Sequence, residues 1–178
     1  MAEPPTIATD VKLPPPVFLR KLRRRQDWGS EATPIDDRAA DLVKVVWKCE
    51  PHPRSPFSVF LVRSDEDLHR VVIGMNGGRA SLTADSDYVA LLPTDLDAIG
   101  LRVEPTPGIT LCRLANDLHH DLAADDGQLL ELSLRLLRED RAPIHLSKNR
   151  LKPLEARARE EGCLVVREST ECKVPHCP

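Results

Sequence analysis

Aromatic side chains are scarce, with three Phe, two Trp and one Tyr in 178 residues. That leaves little for the stacking platforms that hold unpaired nucleic-acid bases. No apolar run approaches the ~18 residues that a membrane-spanning helix needs. The opening MAEPPTIATD has neither the basic nor the apolar region of a secretory leader, so the expected compartment is cytoplasmic and no membrane partner is expected. Glycine is sparse at eight residues. Neither G-x-G-x-x-G nor G-x-x-x-x-G-K-[ST] occurs, so the loops that cradle nucleotide phosphates are missing, and Gly74-Met75-Asn76-Gly77-Gly78 reads as a turn or helix end. No G-x-S-x-G elbow, S-x-x-K or C-G-S-C-like run sets up a nucleophile. The five cysteines, at 49, 112, 163, 172 and 177, are odd in number and lack a framework spacing, which speaks against a secreted disulfide domain. Cys112 and Cys163 fall on apolar positions and read as buried small hydrophobes.

What is present is the composition of a globular chain, 41% apolar and 30% charged, of a length that suits one domain with tails. Residues 1–38 hold Pro4, Pro5, Pro14, Pro15, Pro16 and Pro34 with few clustered apolar residues. They are expected to form a basic, mostly disordered arm. Within it, residues 17–28 can wind into about three helical turns with Phe18, Leu19 and Leu22 on one side. Apolar anchors on one helix face suit a groove on another protein, which makes Phe18 and Leu22 the candidate partner-binding residues. Residues 39–168 are the expected globular domain, and 169–178 a flexible polar tail.

In the domain, Val43, Val45, Trp47 and Cys49 alternate with Lys44 and Lys48 as in a half-buried strand, and residues 57–63, 88–92, 101–103 and 144–147 read as further strands. Ser64 opens a capping box with Asp67, and Leu68, Val71, Val72 and Met75 follow at helical spacing. Pro93 starts a helical turn. Leu111, Leu114, Ala115, Leu118 and Leu122 predict an amphipathic helix over 110–126, and the leucine-rich 128–139 predicts a buried one. Residues 144–166 pattern as strand, helix, Gly162 cap and strand, a small βαβ unit. The fold class is therefore α/β or α+β, a single small domain whose sheet of four to six short strands carries packed helices.

Charge is nearly balanced at −3 but segregated along the chain. Residues 85–131 carry ten acidic side chains against two basic ones, and residues 135–167 nine basic against five acidic. On a helix Asp117, His120 and Asp121 share a face and suit a divalent ion or general acid–base work, the chemistry of a small metal-dependent enzyme. The acidic helix does not complete H-E-x-x-H, so a solvated face is the simpler reading. Arg20, Lys21, Arg23, Arg24 and Arg25 of the arm, with Lys148, Arg150 and Lys152 of a basic face that extends to Arg135, Arg138, Arg141, Arg157 and Arg159, suit a phosphate backbone. Cys172, His176 and Cys177, joined by Cys49 and His52, offer zinc ligands, although C-x4-C is not a common knuckle. The expected cofactor is none, with zinc as the alternative. The expected function is that of a non-enzymatic accessory or regulatory module that binds a protein partner, with nucleic-acid binding and metal-dependent catalysis as the alternatives.

Overall fold

Side chains of residues 17–22 point alternately to two covered faces. Val17 and Leu19 enter one apolar cluster, while Phe18 and Leu22 join another on the opposite side. A segment buried on both sides at period two is a central strand. The computed structural model describes residues 16–48, 56–77, 81–82, 84–108 and 112–164, and this segment is its first strand, β1 (Val17–Lys21). A 3-10 turn (Arg25–Trp28) leads to α1 (Ile35–Leu42), which runs on into a π-helical segment (Val43–Trp47). Then come β2 (Phe57–Val62), α2 (Asp65–Met75), β3 (Ser86–Leu91), α3 (Pro93–Ala98), β4 (Val103–Pro105) and a second 3-10 segment (Arg113–Leu118). The described part closes with β5 (His119–Leu122), α4 (Asp126–Arg138), β6 (Ile144–Leu146) and α5 (Lys148–Glu160).

The six strands form one sheet in the order β4-β5-β2-β1-β3-β6. Every pairing is antiparallel, so this is a single small α+β domain. Helices cover both faces. α2 and α5 pack with the second 3-10 segment on the Val17 and Leu19 side, and α1, the π-helical segment, α3 and α4 on the Phe18 side.

Local signals explain most elements. Ser64 Oγ accepts the Asp67 amide at 3.2 Å, but the Asp67 carboxylate reaches back to Arg63 rather than Ser64 and takes its N–H at 3.0 Å. α4 starts on a reciprocal Asp125–Gln128 box and buries Leu129, Leu132, Ser133 and Leu136 at helical spacing. α3 has Pro at its start, and its Asp95 carboxylate, fully buried, accepts from the Leu92 amide and from Arg135 and Arg141. α5 ends in a Schellman motif: Gly162 takes φ +66°, its amide bonds Arg159 O at 3.0 Å, and the Cys163 amide bonds Ala158 O at 2.8 Å.

Five expectations are corrected. The arm does not extend to residue 38, because residues 16–38 belong to the domain and only 1–15 lie outside the described residues. Prolines 14–16 precede an extended strand rather than a helix, since two hydrogen-bonded neighbours and two apolar faces outweigh a three-turn helix with one. Residues 43–47 are helical, because Ala39, Leu42, Val43, Val46 and Trp47, all buried, recur at i, i+3, i+4, i+7 and i+8. The helix over 110–126 is not formed. Asn116, Asp117, His119 and His120 are weak helix formers, and residues 119–122 pair with β2 and β4 instead. No βαβ unit is formed among the described residues, because β6 pairs antiparallel with β3 and residues 163–164 form no strand. Residues 165–178, including the expected tail, lie outside the described residues.

Cys112 and Cys163 are buried as expected but joined in a disulfide. The cysteine argument for a chain without bridges fails because half-cystines 51 residues apart meet only in the fold. The bridge ties the residue after the Gly162 cap to the start of the second 3-10 segment. There Cβ atoms added at Gly74 and Gly77 would approach those of Ala115 and Cys112 to 2.8 Å, so α2 lies unusually close. No helix among the described residues is long and apolar enough to cross a membrane.

Two outcomes test this architecture. For a closed loop of this length, removing the bridge with C112A/C163A is expected to lower stability by about 4 kcal/mol in urea titrations; an unchanged midpoint would contradict it. Arg20 sits on β1, 8% exposed, and donates to Val46 O at 2.9 Å, Trp47 O at 3.1 Å and Ser58 O at 3.1 Å. Arg20→Met strands those carbonyls and is expected to cost about 3–5 kcal/mol. Arg20→Lys should recover less than half of that, because one ammonium cannot reproduce the guanidinium fork.

Candidate functional site

α2 begins with three acidic residues, Asp65, Glu66 and Asp67, which suit the positive end of its dipole. One turn on, His69 lies three residues from Glu66, and its side chain turns into the seam with α5. α5 turns Leu151, Leu154 and Ala158 inward. Its other residues Pro153, Ala156, Arg157 and Glu160, with Glu161 at its end, form the opposite wall of a groove of about 530 Å³.

Arg157 spans the groove as a bidentate partner of Glu66, with Nη1–Oε2 2.8 Å and Nη2–Oε1 2.5 Å. That bond holds the Glu66 carboxyl below its ordinary range against the opposing effect of burial, and raises the Arg157 guanidinium in turn. His69 is 6% exposed, and its buried Nε2 has no hydrogen-bond partner among the described residues. Burial is the main cause that pushes the imidazole below its ordinary value. Arg157 adds to it, while Glu66 and Asp65 pull the other way. The ring is therefore neutral at pH 7, and a buried ring nitrogen without a partner forgoes a hydrogen bond that a ligand can supply. Among the described residues the lining has no hydroxyl or thiol side chain. What the groove offers is an imidazole nitrogen, charge and an apolar floor.

The sequence-predicted residues lie elsewhere. Leu22 is buried, and Phe18, half-buried on β1, meets the His120 ring edge-on at 5.4 Å. Neither anchor stands on a free helix face. Arg20 is engaged in the core as described, and Lys21 Nζ bonds Met75 O and Asn76 Oδ1. Arg24 pairs with Asp27 and Arg25 with Asp87, whereas Arg23 is exposed. Lys148 and Lys152 are exposed and Arg150 half-buried at the start of α5. That corner of the sheet is not a basic face: the Asp87 carboxylate joins Arg25 to His145 Nδ1 at 2.9 Å, and Asp85 accepts the Lys148 amide at 2.7 Å. Elsewhere Arg135 and Arg141 are held by Asp95 and Glu139, and Arg159 by Glu155.

Asp117, His120 and Asp121 share no helix face. Asp117 pairs with Arg70, His120 Nδ1 lies 3.0 Å from Leu118 O, and no group of three metal-ligating side chains occurs among the described residues. Cys172, His176, Cys177, Cys49 and His52 lie outside the described residues. Sequence reasoning missed the groove. The available signal was His69 itself, which lies on the same helix stripe as Val72 and Ile73.

A neutral buried histidine leaves a mark on stability. The folded chain binds a proton at His69 less readily than the unfolded chain, so stability is expected to fall as pH drops below the ordinary imidazole value of 6.5. A second loss follows below the ordinary carboxyl value of 4.5 as Glu66 is protonated. His69→Gln should flatten the first loss and keep the second. Urea midpoints that do not change between pH 7 and 5 in the unaltered chain would refute the buried neutral ring.

No protein-family model, curated protein or solved structure matches the chain.

Proposed function

We propose that the chain is a non-enzymatic accessory module that binds a protein partner, and that the groove between α2 and α5 is where it does so. The carrying observation is the unpartnered, buried Nε2 of His69. A groove lined by an apolar floor and a few convergent polar groups is the usual form of a binding site, and among the described residues the lining supplies no hydroxyl or thiol nucleophile. The groove is open to segments rather than closed around a small molecule, because its walls are two helix surfaces with Pro153 and Ala156 exposed. Nucleic-acid binding has less support, because Arg135, Arg141, Arg157 and Arg159 are neutralised by carboxylates of the same fold and an affinity carried by phosphate contacts needs free cations.

The test uses ten-residue peptides of acidic, basic and apolar composition titrated into the isotope-labelled full chain. At least one is expected to shift the His69 ring and the amides of Ala156 and Arg157. Ala156→Trp, placed at an exposed position that fills the groove, should abolish the shifts without changing the urea midpoint. Shifts confined to other surfaces, or unaffected by Ala156→Trp, would overturn the reading.

A further inference from the structure

The groove carries three carboxylates, Glu66, Glu160 and Glu161, against one guanidinium, Arg157. Arg157 is already matched by Glu66 on two hydrogen bonds. Glu160 and Glu161 are exposed; neither is in a salt bridge among the described residues, although Glu161 interacts electrostatically with Arg157 on the same helix. They stand on the last turn of α5, whose C-terminal end of the helix dipole adds negative potential at the same place. Between that end and His69 run the side chains of Leu154 and Ala156. An apolar floor that leads to a carboxylate pair fits a side chain with an aliphatic stem and a cationic head. The buried Nε2 of His69, unpartnered among the described residues, is an independent observation at the same groove, since a neutral ring can accept a hydrogen bond there from a donor-rich ligand.

We infer that the occupant of the groove is a basic segment of the partner protein, with a lysine or arginine stem lying on Leu154 and Ala156, its head at Glu160 and Glu161, and an N–H donated to His69 Nε2. The inference rests on the groove being the docking site and adds the chemistry of what docks. Charge complementarity sets it apart from an acidic or purely apolar segment, because bringing a further carboxylate to this end would leave like charges opposed. Arg157 does not repel the newcomer strongly, since its charge is answered by Glu66 across the groove. Protonating His69 removes the acceptor and adds a positive charge beside Glu66, Asp65 and Arg157, so binding weakens in acid.

Calorimetry at low and high salt with a ten-residue peptide alternating Arg and Lys with Ala and Leu tests the inference. The peptide is expected to bind at low salt and lose affinity as salt rises. E160Q/E161Q, two exposed changes outside the core, should weaken it by about three- to tenfold, the effect of losing one or two exposed charge pairs. His69→Gln, which keeps an acceptor, should bind better than His69→Leu. If an acidic or apolar peptide shifts the His69 ring while the basic one does not, the basic occupant is wrong and the groove as a docking site stands. Spermidine binding as tightly as the peptide, with the same E160Q/E161Q sensitivity, would make this a site for small cations and overturn the peptide. If no peptide of any charge perturbs the groove, both the inference and the proposed function fall.

Discussion

A guanidinium on a central strand of a six-stranded sheet has to be matched inside the protein, and in this fold that demand arranges one whole layer. Arg20 of β1 takes the carbonyls of Val46 and Trp47 at the end of the helical segment and of Ser58 on the neighbouring strand. Its guanidinium also lies over the Trp47 and Phe57 rings, at 5.8 and 5.3 Å from their centroids. The last carbonyls of a helix have no partner of their own and carry the negative end of its dipole, so a cation is the natural cap. The helical run from α1 must therefore end above Arg20. Trp47, held there, donates through Nε1 to Ser133 Oγ at 2.8 Å, and Ser133 bonds Leu129 O in turn. One buried cation thereby sets the end of one helix, the position of an indole and the depth of α4.

Charge that is segregated along the chain is reunited in space. The acidic stretch 85–131 meets the basic residues that flank it on both sides: Asp95 with Arg135 and Arg141, Asp87 with Arg25, Asp117 with Arg70 and Asp126 with Lys48. Several of these are exposed on one side and contribute modestly as single contacts. Asp95 is different, because a fully buried carboxylate without its two arginines would be left uncompensated. Blocks of like sign in a sequence therefore do not establish a patch of like sign on a surface. The basic run of β1 and the turn after it shows why, since consecutive strand residues point to opposite faces. Arg20 and Lys21 lie on opposite sides of one sheet, each with its own buried partners.

Legibility from the sequence followed the range of the interactions. β2, α2, α3, α4, β6 and α5 carry their own signals in caps, proline and periodic apolar residues, and all six stand within a few residues of where those signals place them. The misplaced elements are those in which tertiary pairing overrides local preference. β1 has too few residues for its alternation to outweigh a helical stripe, and only the presence of β2 and β3 on either side decides it. Val43, Val45 and Trp47 alternate like a strand, yet Val43 and Trp47 also belong to a helical repeat that starts at Ala39 and becomes visible only from a window opened earlier. Residues 111–122 are a strong leucine stripe that ends in a strand because β2 has an unfilled edge. The groove was illegible for a sharper reason: Glu66 and Arg157 are 91 positions apart, and nothing near either residue announces the other.

The two faces of the sheet are built to different tolerances, and that difference bears on where binding is placed. The Arg20 side is locked by a chain of buried polar contacts from β1 to α4. On the other side α2 is pressed against the second 3-10 segment at Gly74 and Gly77, but it meets α5 along a much shorter seam. α5 is instead anchored at its inner stripe, at the Schellman turn and through the Cys112–Cys163 bridge beyond it. These restraints act on the backbone and on the buried side of the helix, leaving its groove side free to carry charge that packing does not need. A ligand entering such a seam meets walls that are already ordered, so less of its binding energy is spent on arranging them. Glu160 and Glu161, to which the proposed contact is assigned, are exposed and fall outside the core that keeps the domain folded.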